Sequence, residues 1–86
     1  MTNTMVSLKN FTRNDKNLEC DFYPEANETK ENKCHIIIDI ETEEIVSVDI
    51  PEASKCYSMD IGGARTVLAK YINEEKFPEV DYYIEG

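Results

Sequence analysis

A chain of 86 residues is long enough for one small domain, and it buries too little surface for a second hydrophobic core. Its net charge of −9 disfavours binding to nucleic-acid phosphates and to anionic membrane surfaces. The longest apolar stretch, residues 36–38, is far shorter than the ~20 residues of a membrane-spanning helix. We expect no signal peptide, and the odd number of cysteines suits a reducing cytoplasm.

The negative charge is concentrated in the middle of the chain. Residues 19–52 contain eleven acidic residues and only two lysines. One interpretation is that this charge keeps a small domain soluble, and the alternative is that it attracts a basic protein partner. Asn, Lys, Ile and Glu are abundant, a composition typical of AT-rich bacterial or phage genomes.

The first part of the chain predicts a hairpin. Val6 and Leu8 alternate with polar residues over residues 5–12, and residues 14–17 are typical of a turn. A second strand ends at Pro24 and has one apolar row and one acidic row. The register of this hairpin stays open, because Phe11 has the opposite parity to Val6 and Leu8. Residues 25–33 form a polar loop that we expect to be mobile.

A second hairpin is predicted over residues 34–50. A loop of three residues, 41–43, sets Ile36 opposite Val48 and Ile38 opposite Val46, and it requires Glu43 to adopt a left-handed conformation. One apolar row of this hairpin is then expected to face the helix. Its members are Cys34, Ile36, Ile38, Ile40, Val46, Val48 and Ile50.

An amphipathic helix follows near residues 64–75, and Ser58 or Asp60 can cap its start. Its apolar face is formed by Ile61, Ala64, Leu68, Tyr71 and Ile72, with Val67 on its flank. Pro78 stops it, and a short strand follows over residues 80–85. The sequence therefore predicts a single α+β domain over residues 1–86. It has an antiparallel sheet of four to five strands and one helix on one face, in the order β-β-β-β-α-β.

No residue pattern predicts catalysis, a metal or a cofactor. Cys34 and His35 are adjacent in a strand, so their side chains point to opposite faces, and we expect Cys20 and Cys34 to pack as small core residues. The Gly62-Gly63 pair lacks a dinucleotide-binding pattern, and it more simply allows a close approach of helix and sheet. The paired carboxylates, such as Glu19 with Asp21, are typical of a solvated strand face.

The sheet face opposite the helix is the predicted interface. It contains His35, Ile37, Asp39, Ile45, Ser47 and Asp49 of the second hairpin. Tyr23 is expected beside them, with Phe11 and Tyr83 as further candidates. Apolar residues from several strands on one face are typical of an interface with a protein partner or a second copy of the chain.

Three classes of function remain open. The first is a small non-catalytic binding or regulatory module that acts through protein–protein contact. The second is an acidic immunity-type protein, inhibitor or mimic that neutralises a basic partner. The third is the accessory subunit of an enzyme. The first class is favoured because binding requires only a surface, whereas no catalytic constellation is visible.

Overall fold

The elements follow the predicted order in a computed structural model, which describes residues 4–85. They are β1 (Thr4–Arg13), β2 (Asn17–Pro24), β3 (Cys34–Asp39), β4 (Ile45–Asp49), α1 (Ser58–Ala69) and β5 (Val80–Glu85). A short 3₁₀ turn, Lys30–Asn32, precedes β3. The five strands form one antiparallel sheet with one helix, so the predicted α+β fold class is confirmed.

The sheet order is β4-β3-β2-β1-β5. The first four strands form a meander in which each strand pairs with the next. The chain then returns through α1 from one edge of the sheet to the other, where β5 pairs with β1. The helix packs on β1, β2, β3 and β5, so β4 lies at the edge that the helix does not cover.

The core lies between the sheet and α1. Alternate residues of β1, β2 and β3 are fully buried there, because successive side chains of a strand point to opposite faces. They are Val6, Leu8, Leu18, Cys20, Phe22, Cys34, Ile36 and Ile38. The burial of Cys20 and Cys34 confirms their predicted role as core residues.

A bulge explains the parity of the first hairpin. The register shifts between Lys9 and Thr12, and Asn10 adopts a left-handed conformation with φ 58°. One extra residue on β1 brings Phe11 to the helix side, where its ring lies 5.2 Å from that of Tyr71. The expectation that Phe11 lies on the face opposite the helix is therefore wrong.

The second hairpin has the predicted register over most of its length. Ile36 pairs with Val48, and Glu43 has φ 63°, as the sequence predicts. The pairing of Ile38 with Val46 is wrong, because a bulge sets Ile45 opposite Ile38. The loop is also longer than predicted, since the N–H of Asp39 donates to the carbonyl of Glu44 and encloses residues 40–43.

The helix begins and ends earlier than predicted. It starts at Ser58, where the Asp60 carboxylate accepts a hydrogen bond from the backbone N–H of Tyr57 at 2.8 Å. It ends at Ala69, after which i→i+3 hydrogen bonds tighten the chain and keep Ile72 in the core. No helix within residues 4–85 is long and apolar enough to cross a membrane.

Gly63 allows the close approach of α1 to the sheet. A Cβ atom there would lie 2.7 Å from Cγ and from Cε2 of Tyr83, whereas a Cβ at Gly62 would meet nothing within 4 Å. Tyr83 is thus packed under the helix, and the expectation that it lies on the opposite face is wrong. Because a real side chain would collide with the ring, only glycine fits at position 63 without a shift.

Candidate functional site

Four of the six predicted interface residues keep their predicted pairing between β3 and β4. His35, Ile37 and Asp39 alternate along β3, and His35 pairs with Asp49 while Ile37 pairs with Ser47. These positions alternate with the buried row of β3, so they belong to the face opposite α1. Ile45 is displaced, because the bulge pairs it with Ile38 of the buried row.

His35 is held between two carboxylates of the neighbouring strand. Its Nδ1 lies 2.7 Å from Oδ1 of Asp21, and its Nε2 lies 2.9 Å from Oε1 of Glu19. Partial burial alone would lower the pKa of His35, but hydrogen bonds to Asp21 and then Glu19 outweigh it and raise the pKa above its usual value. With a carboxylate at each nitrogen, the imidazolium form is favoured and has no lone pair free to act as a general base.

The Asp21 environment was missed by the sequence analysis. This residue was expected on a solvated face, yet it is only 7% exposed. It accepts a hydrogen bond from Nδ2 of Asn10 at 2.8 Å, and Nζ of Lys33 lies 4.0 Å away. The parity of β2 and β3 could have shown the pairing with His35, but the Asn10 contact depends on the bulge, which leaves no sequence signal.

The β1–β2 half of this face is not open. Ser7 is fully buried and Tyr23 is only 8% exposed, although both alternate with core residues of their strands. Nζ of Lys9 forms an ion pair with Oε1 of Glu28 at 2.6 Å, which ties the loop after β2 to this half of the face. The predicted bare surface is therefore restricted to β3 and β4, and Tyr23 is not available for contact.

The loop after β2 is anchored rather than free. Asn32 is buried and donates hydrogen bonds from Nδ2 to the carbonyls of Pro24 and Asn27, at 2.8 and 2.9 Å. Its Oδ1 accepts a hydrogen bond from Ser54 at 2.6 Å. The sequence did not predict these contacts, because Asn32 is one polar residue among many in this loop.

β4 is the most exposed strand. Its Val46 is 55% exposed and its Ile45 40%, and Ile50, directly after the strand, is 39% exposed. The prediction that Val46 and Ile50 lie under the helix is wrong, because α1 packs mainly on the other four strands. Apolar side chains and the outer backbone edge of a strand are thus accessible together.

We call residues 39–52 the acidic segment. It contains six carboxylates and no lysine, arginine or histidine: Asp39, Glu41, Glu43, Glu44, Asp49 and Glu52. Within residues 4–85, each ion pair involves carboxylates outside this segment. Arg65 approaches the segment, but its Nε donates to the carbonyl of Glu43 rather than to a carboxylate.

Asp39 has a structural role at the start of this segment. Its Oδ1 accepts hydrogen bonds from the backbone N–H groups of Thr42 and Glu41, at 2.9 and 2.8 Å. These hydrogen bonds, the one from Thr42 first, lower the pKa of Asp39. The carboxylate is therefore charged and stabilises the loop, so Asp39 is a weaker candidate for partner contact than the rest of the segment.

The cysteines do not form a reactive or metal-binding group. Burial raises the pKa of the Cys34 thiol, and burial raises the pKa of Cys56 to about 12. Thiols with such pKa values are poor nucleophiles and poor ligands near neutral pH. In the part of the chain that the structure describes, no three His, Cys, Asp or Glu side chains converge to hold a metal.

A depression of about 600 Å³ lies between the end of β1 and the chain that follows α1. Its lining includes Phe11, Arg13, Glu75 and Phe77. Arg13 is already engaged, since it donates to the carbonyl of Glu74 at 2.8 Å. The charges in this depression are of both signs, and no unpaired buried polar group points to a ligand there.

A scan against protein-family models and searches of curated proteins and of solved structures found no match to this chain.

Proposed function

We propose that this chain is a non-catalytic protein-binding module that recognises a basic protein through its acidic segment and the exposed side of β3 and β4. One observation carries the proposal: six carboxylates of one segment have no ion-pair partner within residues 4–85, next to exposed apolar side chains. A surface of a single charge sign steers and selects partners of the opposite sign.

The same observation disfavours a second copy of the chain as the partner. Two acidic segments in contact would bring like charges together, which costs free energy. A basic protein instead gains attraction along the whole segment, while Ile45 and Val46 offer apolar area to bury. Solubility alone would be served equally well by acids spread over the whole surface.

The test begins with capture of the chain's partner from the cells that encode it, followed by binding measurements with the purified pair. The variant Glu41→Gln/Glu43→Gln/Glu44→Gln removes three charges from the acidic segment. Each exposed ion pair contributes about 0.2–1 kcal/mol, so we expect the Kd of the variant to be roughly 10-fold higher than that of the parent chain. Because salt screens exposed charges, binding of the parent chain should also weaken as the salt concentration increases.

A matched control removes three charges elsewhere. Glu25, Glu31 and Glu79 are exposed and make no side-chain hydrogen bond or ion pair with other residues in the range 4–85. Their replacement by Gln is expected to leave the Kd within about 2-fold. Equal loss of affinity in both triple variants would mean that only net charge matters, and an unchanged Kd in the first would refute the proposal.

A further inference from the structure

β4 has an open backbone edge. It is the terminal strand of the sheet, and β3 occupies only one of its sides. In an antiparallel pair, alternate residues direct their N–H and C=O groups away from the neighbouring strand. These groups form a template on which another extended chain can add.

Few of the usual protections of an edge strand are present. β4 contains no lysine and no proline, and the helix does not cover it. The bulge leaves Val46 without a partner in β3 and distorts one end, but Ser47, Val48 and Asp49 remain in regular register with β3. Val46 is 55% exposed on the approach to this edge, so an added strand would also bury apolar surface.

The surrounding charge selects the occupant. The acidic segment includes all of β4, and it contains no basic residue that could pair with an acidic strand. A second copy of β4 would bring a second set of carboxylates to the same edge. A strand with lysine or arginine side chains would instead face acids at both ends of β4.

The opposite edge of the sheet, β5, differs from β4 in the pairing of its acidic side chains. β5 also exposes apolar side chains, with Ile84 65% and Tyr82 43% exposed. Its Asp81, however, already forms an ion pair with Lys70 at 3.3 Å and a hydrogen bond with the Tyr71 hydroxyl. Charge complementarity therefore distinguishes β4 from β5.

We infer that β4 accepts a sixth strand from an extended segment of a basic protein, in which apolar residues alternate with lysine or arginine. Side chains of an added strand alternate between the two faces of the sheet. Its apolar residues would lie beside Val46 and Val48, and its basic residues beside Asp49 on the opposite face. This inference rests on the proposed function and adds the mode of binding to it.

The test uses an acetylated peptide that alternates valine and lysine, titrated into the isotope-labelled chain. We expect saturable binding, with amide exchange slowed at alternate residues of β4. Two further peptides are N-methylated at every second residue, one at the odd positions and the other at the even positions. Only one of them has its methyl groups on the edge that pairs with β4, so we expect that peptide to bind at least 10-fold more weakly. A peptide of the same composition in block order should bind equally weakly.

Two variants of the chain complete the test. Val46 and Ile84 are both exposed, so a lysine at either position should leave the fold intact. We expect Val46→Lys to weaken binding at least 10-fold and Ile84→Lys to leave it unchanged. Protected β5 amides, or loss of binding in Ile84→Lys alone, would overturn the inference.

The remaining outcomes separate the two proposals. Methylated and block-order peptides that all bind as tightly as the alternating peptide would refute strand addition. No binding of the alternating peptide at concentrations on the order of 1 mM would refute it too. The proposed function would still stand if the Gln triple variant weakens binding of the captured protein. A dimer of the chain that Val46→Lys dissociates would refute the basic occupant in favour of a second copy.

Discussion

Gly62 and Gly63 are adjacent in α1 yet should respond in opposite ways to substitution by alanine. Alanine is favoured over glycine inside a helix by about 0.8–1.0 kcal/mol. At position 62 a Cβ atom meets nothing within 4 Å, so Gly62→Ala should increase the free energy of unfolding by nearly that amount. At position 63 the same gain is opposed by a collision with the ring of Tyr83.

The size of the collision sets the difference between the two variants. The new Cβ would lie 2.7 Å from Cγ of Tyr83, an atom near the base of the side chain that cannot swing away without a rotamer change or a backbone shift. Overpacking of this kind costs about 1–3 kcal/mol. We therefore expect Gly63→Ala to be less stable than Gly62→Ala by about 1–3 kcal/mol.

Urea and thermal unfolding monitored by circular dichroism measure this difference. A change of 1 kcal/mol shifts the Tm of a domain of this size by about 4–8 °C, so the two variants should be clearly resolved. Repeating both substitutions in a Tyr83→Ala background forms a double-mutant cycle. If Gly63→Ala is as stable as Gly62→Ala, or if the cycle shows no coupling to Tyr83, then the close approach of α1 and β5 is not what requires glycine.

Three further predictions concern His35, Asn32 and Glu43. The pKa of His35 is raised in the folded state, so its contribution to the free energy of unfolding is fully present below the unfolded pKa of about 6.5 and is lost as pH rises through the folded pKa. Urea unfolding from about pH 6 to about pH 9 should show this loss of stability, and His35→Gln should remove the pH dependence. Asn32→Ala should lower the free energy of unfolding by about 1–3 kcal/mol, since it removes the hydrogen bonds of a buried amide to two backbone carbonyls and to Ser54, and it should speed amide exchange in the loop after β2. Glu43→Gly should raise the Tm by an amount equivalent to about 1 kcal/mol or less, because glycine adopts φ 63° without strain.

Each of these predictions has a control. A pH profile of His35→Gln parallel to that of the parent chain would show that the pair of carboxylates does not favour the imidazolium. Asn27→Ala removes no side-chain hydrogen bond to the rest of residues 4–85 and should leave stability within about 0.5 kcal/mol. Glu41→Gly lies in the same loop without a positive φ, so it should lower the Tm, and a rise equal to that of Glu43→Gly would exclude relief of strain.

The order of the elements could be read from the sequence because each carries a strong local signal. Alternating β-branched residues such as Ile36 and Ile38 predict strands, and the 3.6-residue spacing of Ala64 and Leu68 predicts the helix. Parity also predicted the strained conformation of Glu43, because only one class of loop brought both apolar rows to the same face. These signals depend on neighbours in the chain, which the sequence displays directly.

The remaining features depend on contacts between distant residues. The bulge at Asn10 shifts the pairing of β1 and β2 by one residue, and no local sequence pattern distinguishes this part of β1 from a regular strand. The exposure of Val46 depends on how far one helix extends across five strands, which the alternation in β4 cannot reveal. For the candidate site, the sequence predicted the face of His35 but not the burial of Asp21, because that burial requires Asn10 and the loop after β2 to be in place.

The pairing of Thr4 with Glu85 has a consequence for the order in which the structure assembles. The meander from β1 to β4 uses contacts between neighbours in sequence, so it closes only short loops. The ladder between β1 and β5 joins the two ends of the described chain, and its loop-closure entropy is the largest in the molecule. Because α1 must lie across the sheet before β5 can dock, we expect this ladder to form late in folding and to set much of the contact order that limits the folding rate.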